Sequence, residues 1–338
     1  MNPIWQDHLI KAGAQIENGR VVHFGHPEQE LQTAQSGTVI ADLSHLGIIG
    51  VGGEDSQTFL QGQTTNDVRL AADRAQHNSL CTPKGRMLAT FLLWRDEDGY
   101  LLQLPAELQA GIQKRLTMYV LRSKVKIRDA GAETVRFGMA GADAESLLQT
   151  LLGPLPQEAL GVARHGGTTV VRLGPARFEI VATSEQAPGL WDELSNTATP
   201  AGSACWEWLE IQAGIPVILP ATQEQFTPQM ANFEALGGVS FTKGCYTGQE
   251  IVARTQHLGK VKRRLYLAHI DADSAPQPGD ELSDGNQAAG MVVNAQPAPG
   301  GGFDLLAVIP TEAAESDGIR WLFPDGPALR FLALPYPV

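Results

Sequence analysis

Residues 38–51 alternate apolar and polar positions in the manner of strands, and Gly53-Glu54-Asp55 then opens a helix through Phe59 and Leu60 that stops at Gln61-Gly62-Gln63. Strands are predicted over Leu80–Pro83 and Met87–Trp94, and Asp96-Glu97-Asp98-Gly99 is a hairpin turn leading into a strand over Tyr100–Leu104. Residues 106–121 keep a helical period. This order of strand, helix, strand, hairpin and helix predicts an α+β unit.

A second unit, 133–202, carries a helix near 142–152, a hairpin whose arms Thr169–Leu173 and Phe178–Ala182 flank Gly174-Pro175, and a helix near 186–195. It reads as a small ferredoxin-like module. Ser203 is placed to cap a helix with Trp206, Leu209 and Ala213 on one face, ended by Gly214 and Pro216. The stretch 217–242, punctuated by Pro220, Pro228, Gly237 and Gly238, predicts an ordered irregular segment running back to the first unit, and loops of that length are often functional. Beyond it the pattern shortens to strands at Arg264–Ile270, Ala288–Asn294, Phe303–Val308, Ile319–Phe323 and Leu329–Leu334, a small antiparallel barrel. The predicted organisation is 1–130 together with about 205–258, then 133–202, then 260–338.

A chain of 338 residues with 43% hydrophobic and 18% charged positions buries a substantial core and suits two or three domains. No charged-then-apolar leader opens it and no apolar run approaches the ~18 residues of a membrane span, so a soluble, cytoplasmic protein without membrane contact is expected. Cys81, Cys205 and Cys245 are scattered, with no C-x-x-C and no clustered histidines. That argues against a disulfide framework and against a metal site made by this chain alone, while leaving one thiol free to join a cluster in a complex.

The net charge of −12 argues against a protein that coats nucleic acid. The cations are nevertheless bunched. Lys114, Arg115, Arg122, Lys124, Lys126 and Arg128 lie in one window, and Lys243, Arg254, Lys260, Lys262, Arg263 and Arg264 in another. The bunching predicts a local anion site, for a carboxylate-bearing cofactor or a short stretch of RNA backbone; solvated helix faces and strand edges explain any single cation equally well.

Lys243-Gly244-Cys245-Tyr246-Thr247-Gly248-Gln249-Glu250 is chemically the densest segment. Thr247 to Glu250 fits a capping box, so a helix should begin at Gly248, carry Ile251, Val252, Thr255 and Leu258 on one stripe, and end at a left-handed Gly259. Cys245, just ahead of the cap, would feel the positive helix end and the Lys243 ammonium, both of which favour a thiolate. Gly244 and Gly248 permit a sharp turn or a close approach to a ligand. Free cysteines are more often packing residues, so the local pattern alone leaves the role of Cys245 open; Glu250 reads as a helix cap.

These eight residues match the K-G-C-[FY]-x-G-Q-E signature of the YgfZ-type folate-binding proteins, relatives of the glycine-cleavage T-protein (aminomethyltransferase). Phe59–Gln63 with Thr65–Val68, Thr82–Arg86, Lys124-Val125, Ile211–Pro216 and Pro228–Asn232 also resemble that family, in its order, over most of residues 40–265. The resemblance implies three domains in a ring with a tetrahydrofolate-type ligand in the central hole. It further implies support of iron-sulfur enzymes, notably those that methylthiolate tRNA, as partners, with transient RNA contact. By the same resemblance Cys245 and Lys243 are the functional pair, and Trp206 lies where the family has a ligand-contacting tryptophan. Leu46 lies where the family can have another. Gln212 replaces a pterin-binding glutamate of the T-protein, and Tyr246 and Arg254 are counted with the cofactor-binding residues. Gly244, Gly248, Gln249 and Glu250 complete the motif, in which Cys245 and Gln249 stand where T-proteins tend to have an acid and an arginine. The aspartate that assists one-carbon transfer in the T-protein is missing from Met87-Leu88-Ala89-Thr90, which disfavours aminomethyl or methyl transfer, the alternative reading. A binding protein without chemistry is the third.

Overall fold

The structure, a computed structural model, describes every residue except 260, 286, 316 and 317, and no side chain at 257, 258 and 315; the expectations for Lys260 and for the Leu258 side chain lie outside the described residues. The first unit is a five-stranded antiparallel sheet in the order Gln76–Cys81, Met87–Asp96, Gly99–Pro105, Leu46–Gly52, Lys126–Asp129. The helix Ala106–Met118 covers one face with Leu108, Ile112 and Leu116, whose spacing of four puts them on one stripe. The strand expected over 80–83 stands earlier, at 76–81. Thr82–Arg86 forms a turn instead, in which Gly85 takes φ +68° and its N–H bonds the Thr82 carbonyl at 2.9 Å.

The second sheet has six strands, ordered Val162–His165, Thr168–Gly174, Arg177–Thr183, Thr134–Ala140, Val39–Asp42, Thr199–Ala201. Val39–Asp42 pairs antiparallel with Thr134–Ala140 and parallel with Thr199–Ala201. The N-terminal helix Pro3–Lys11 sends Trp5 and Leu9 into the same core as Phe137, Phe178 and Trp191. Residues 1–42 thus give no strand to the first sheet: they supply Trp5, Leu9 and a strand to the middle unit, while Leu31, Ala34 and Ala41 pack on Cys205, Trp206 and Trp208, so the expected 1–130 boundary does not coincide with the sheets. Contiguity along the chain gives no sign of such a crossing.

The third unit is a curled antiparallel half-barrel of six strands, ordered Arg320–Trp321, Glu281–Ser283, Ala288–Pro297, Phe303–Pro310, Arg263–Ile270, Leu329–Leu332. Alternation explains why it stays open. Ala268, Ile270, Val292 and Ala307 make its own core, while Leu265, Leu267, Val293 and Leu306 point the other way into the core of the first unit.

The helix Ser203–Gln212 joins all three units. Its cap is Gly202, not Ser203, whose hydroxyl instead donates to the Val21 carbonyl at 3.0 Å. Trp208 Nε1 and Gln212 Nε2 both donate to Asp304 Oδ2 of the half-barrel, at 2.8 and 2.9 Å. The irregular 217–242 segment does run back over the first unit: Met87 N–H bonds the Phe226 carbonyl at 2.8 Å and Ser240 N–H the Thr65 carbonyl at 3.0 Å. No helix among the described residues is long and apolar enough to cross a membrane.

Candidate functional site

Where the two sheets and the half-barrel part from one another they enclose a cavity of about 1020 Å³, at the upper end of the ~300–1,000 Å³ usual for cofactor sites. The helix Ser203–Gln212 lines it with Trp206, Glu207 and Glu210, residues that share a face by helical spacing. Along Arg177–Thr183 the side chains alternate: Phe178 and Ile180 enter the middle core, and Arg177 and Glu179 face the cavity. The first sheet adds Thr90, Phe91 and Gln103, the N-terminal hairpin adds Arg20, and the half-barrel adds Asn294, Gln296 and Phe303.

Burial sets the electrostatics of these walls. Glu179 is 1% exposed, and desolvation pushes its carboxyl up to about 7, opposed by the Gln103 amide that donates to Oε2 at 2.9 Å and by the Arg136 charge. Burial likewise raises Glu207, which pairs with Arg20, and Glu210, which lies 3.4 Å from Arg177. His45 is pushed down to about 3 and His77 to about 4, chiefly by burial, so both imidazoles are neutral near pH 7. Among the described residues Glu179 Oε1 and Gln103 Oε1 have no hydrogen-bond partner, and Arg177 Nη1 has only its ion pair with Glu210. Buried polar atoms are rarely left so, and a cavity ligand with N–H donors and an acceptor would satisfy them.

Trp206 is 2% exposed: Arg177 lies over its ring at 5.6 Å, and the ring packs so closely on Gly138 that a Cβ there would sit 2.2 Å from Cζ3. Leu46 lines the cavity beside it, with its carbonyl accepting from Arg136 Nη2 at 2.6 Å. Thr90, in the segment that lacks the aspartate, holds the start of the irregular segment by donating to the Pro216 carbonyl at 3.2 Å and accepting from Ile218 N–H at 3.1 Å.

The signature loop lies outside this lining. Lys243 is buried, donating to the carbonyls of Thr64 and Asn66 at 2.6 Å each, with its ammonium 5.1 Å from the Tyr246 ring centre. Burial pushes it down to about 8. Cys245 and Gly244 are exposed. The helix that follows is Gln249–Leu258, one residue later than expected, and no capping box forms: its cap is Gly248 at φ +86° with no side-chain bond, so Thr247 and Glu250 do not cap it. A left-handed cap position suits glycine and takes the chain away from the extended geometry that a threonine box requires. Gly248 also lies against backbone, since a Cβ there would be 2.4 Å from the Thr82 carbonyl and 3.0 Å from Gly85 Cα. Gly259 ends the helix extended, at φ −102°, not left-handed, and of the expected stripe Val252 is buried while Ile251 is 37% exposed.

Of the residues singled out from the sequence, the structure brings Trp206 and Leu46 to the cavity. Gln212, Tyr246, Arg254, Cys245 and Lys243 are not among its lining residues, nor are Gln249 and Glu250. Gln212 instead holds Asp304, and Arg254 is exposed. None of the described cations of the two basic windows lines the cavity either, where Arg20 and Arg177 supply the positive charge. Several window cations have protein partners: Lys124 pairs with Glu54, Arg128 with Glu133 and Arg264 with Glu234. The polar residues missed in the sequence are Glu179, Gln103, Arg177 and Glu210. For Arg177 and Glu179 the available signal was charge on one face of a strand flanked by apolar runs; Gln103, uncharged, and Glu210, on a helix, gave none of that kind.

Residues 12–240 match the GCVT N-terminal domain family. The tRNA-modifying protein YgfZ of Shigella dysenteriae serotype 1 (strain Sd197) and that of Escherichia coli (strain SMS-3-5 / SECEC) are each 34% identical over 317 residues, covering 92% of this chain and 97% of theirs. Among solved structures, the glycine cleavage system aminomethyltransferase T from Bartonella henselae superposes with a TM-score of 0.79 over 99% of this chain and 97% of that one, at 17% identity, a likeness of fold. The family match covers more than half of the chain and the curated relatives cover nearly all of it, so the chain belongs to the GCVT N-terminal domain family, among the relatives of the tRNA-modifying protein YgfZ.

Proposed function

We propose that the protein is a tetrahydrofolate-binding accessory protein that supports assembly or repair of iron-sulfur enzymes and thereby tRNA methylthiolation, with Cys245 as its functional thiol. The observation that carries the folate reading is the pair of buried acceptors without a hydrogen bond among the described residues, Glu179 Oε1 and Gln103 Oε1, beside the Arg177–Glu210 ion pair in a cavity walled by Trp206, Phe91 and Phe303. The pyrimidinone ring of a reduced pterin is flat, carries adjacent N–H donors and a carbonyl acceptor, and so matches two acceptors and the Arg177 guanidinium between aromatic walls. Glu179, Gln103, Arg177, Trp206 and Leu46 are the residues that would hold it, and the bound folate would supply one-carbon or redox capacity. The exposed Cys245 thiol supports a reaction with a partner at the surface, the iron-sulfur enzyme. Titrating tetrahydrofolate while following tryptophan fluorescence tests the ligand, with Trp206→Phe reducing the response; no response from the unaltered protein sinks it. Cys245→Ala should fail to rescue a tRNA-methylthiolation defect, and full rescue removes the thiol role.

A second reading, a folate-dependent aminomethyl or methyl transferase, is favoured by one observation. Although residues 84–90 carry no carboxylate, the Glu179 carboxyl, raised to about 7, stands in the same cavity as Thr90 and is suited to proton transfer near neutrality. Turnover of a methyl or aminomethyl donor with tetrahydrofolate, lost in Glu179→Gln, is the measurement that selects it.

A further inference from the structure

The signature loop turns two of its side chains inward and leaves the dipeptide between them outside. Lys243 and Tyr246 are 6% and 7% exposed, while Gly244 and Cys245 between them are exposed. A Cβ on Gly244 would meet nothing within 4 Å. Two inward anchors therefore bracket an outward dipeptide.

The receptacle for the lysine is itself tied down. Thr65 N–H bonds the Ser79 carbonyl at 3.0 Å, and its hydroxyl donates to the Gly238 carbonyl at 2.7 Å. Asn66 Nδ2 donates to the carbonyls of Gly237 at 2.6 Å and His77 at 3.0 Å. Ser240 N–H closes the loop onto the Thr65 carbonyl at 3.0 Å. Two carbonyl oxygens at 2.6 Å and a π-face at 5.1 Å make a cage shaped for an ammonium, and they draw the Lys243 charge into the interior.

We infer that Lys243 is a positioning residue: by clamping the Thr64 and Asn66 carbonyls it ties the 64–66 segment to the signature loop and, with Tyr246, holds Gly244-Cys245 outward, in place of acting on the thiol directly. The importance of the clamp rests on the proposed role of Cys245, but its test needs neither folate nor a partner.

Cys81 and Cys205 are buried, with thiols pushed up to about 12 by burial, so alkylation near neutral pH reports Cys245. In Lys243→Met, hydrogen exchange in peptides covering 64–66 and 237–246 should quicken by about tenfold or more while the rest of the chain stays protected. The plateau rate of iodoacetamide alkylation should change, with the midpoint of its pH profile unmoved. A midpoint shifted upward means that the ammonium acts on the thiol through space, and overturns the inference. Unaltered exchange at 64–66 overturns it equally. Should the methionine variant not fold, Lys243→Gln keeps N–H donors without the charge: intermediate protection with an unmoved midpoint supports the clamp, and a raised midpoint refutes it.

Discussion

Replacing Glu179 by Gln isolates the electrostatics of the cavity. The glutamine is a neutral isostere of the protonated acid and keeps an oxygen for the Gln103 amide, which donates at 2.9 Å in the native protein. Burial holds the folded carboxyl at about 7 against an ordinary value of 4.5. At about 1.4 kcal/mol per pH unit, that gap is worth about 3 kcal/mol. The folded state binds the extra proton, so its stabilising effect is fully present below pH 4.5 and is lost as pH rises through 7. Urea unfolding of both proteins from about pH 5 to about pH 8 measures this by difference, which cancels every other titrating group. The variant's stability relative to the native protein should climb by about 2.5 kcal/mol across that window, the remainder of the gap lying below pH 5. A difference flat with pH would show that Glu179 ionises alike in the folded and unfolded chain, and the reasoning from its burial would be refuted.

Gly248→Ala forces a Cβ into a left-handed residue 2.4 Å from the Thr82 carbonyl, and should cost about 2–4 kcal/mol in chemical denaturation. Asp304→Ala strips the acceptor from Trp208 Nε1 and Gln212 Nε2 and the partner from His269 Nδ1; a loss of about 2–5 kcal/mol is expected, read as a lowered melting temperature, with proteolysis reporting whether the half-barrel loosens first. Cys245→Ala, at an exposed position, should leave stability within about 0.5 kcal/mol while abolishing rapid alkylation.

The short strands of the half-barrel, the hairpin at 96–99 and the irregular segment over 217–242 were all legible in the sequence, because each rests on local periodicity and turn residues. Three things were not. Thr247 to Glu250 has the letters of a capping box, yet the closeness of Gly248 to Thr82 and Gly85, set by tertiary packing, dictates a left-handed cap that no box can make. Glu179 and Arg177 alternate with Phe178 and Ile180, which in a sequence reads as a solvent face; in a closed ring that face is the inner wall. And Lys243, read as a charge directed at the thiol, lies in a cage made by residues 64–66, some 180 positions away in sequence, as the separations of 179 and 177 in its two hydrogen bonds record.

The middle sheet is built from two stretches of chain that the whole first sheet separates. Val39–Asp42 finds its partner only when Thr134–Ala140 exists, and Trp5 and Leu9 have no core until Phe137, Phe178 and Trp191 arrive. During synthesis residues 1–42 must wait, at ~5–20 residues per second, for several seconds until residues 134–140 follow, with apolar side chains unsheltered. The strands of the intervening sheet all lie within residues 46–129, so they can pair with one another first and bring the two halves of the middle sheet together. A ring assembled in this way makes its central cavity last, so a ligand bound there meets a completed fold.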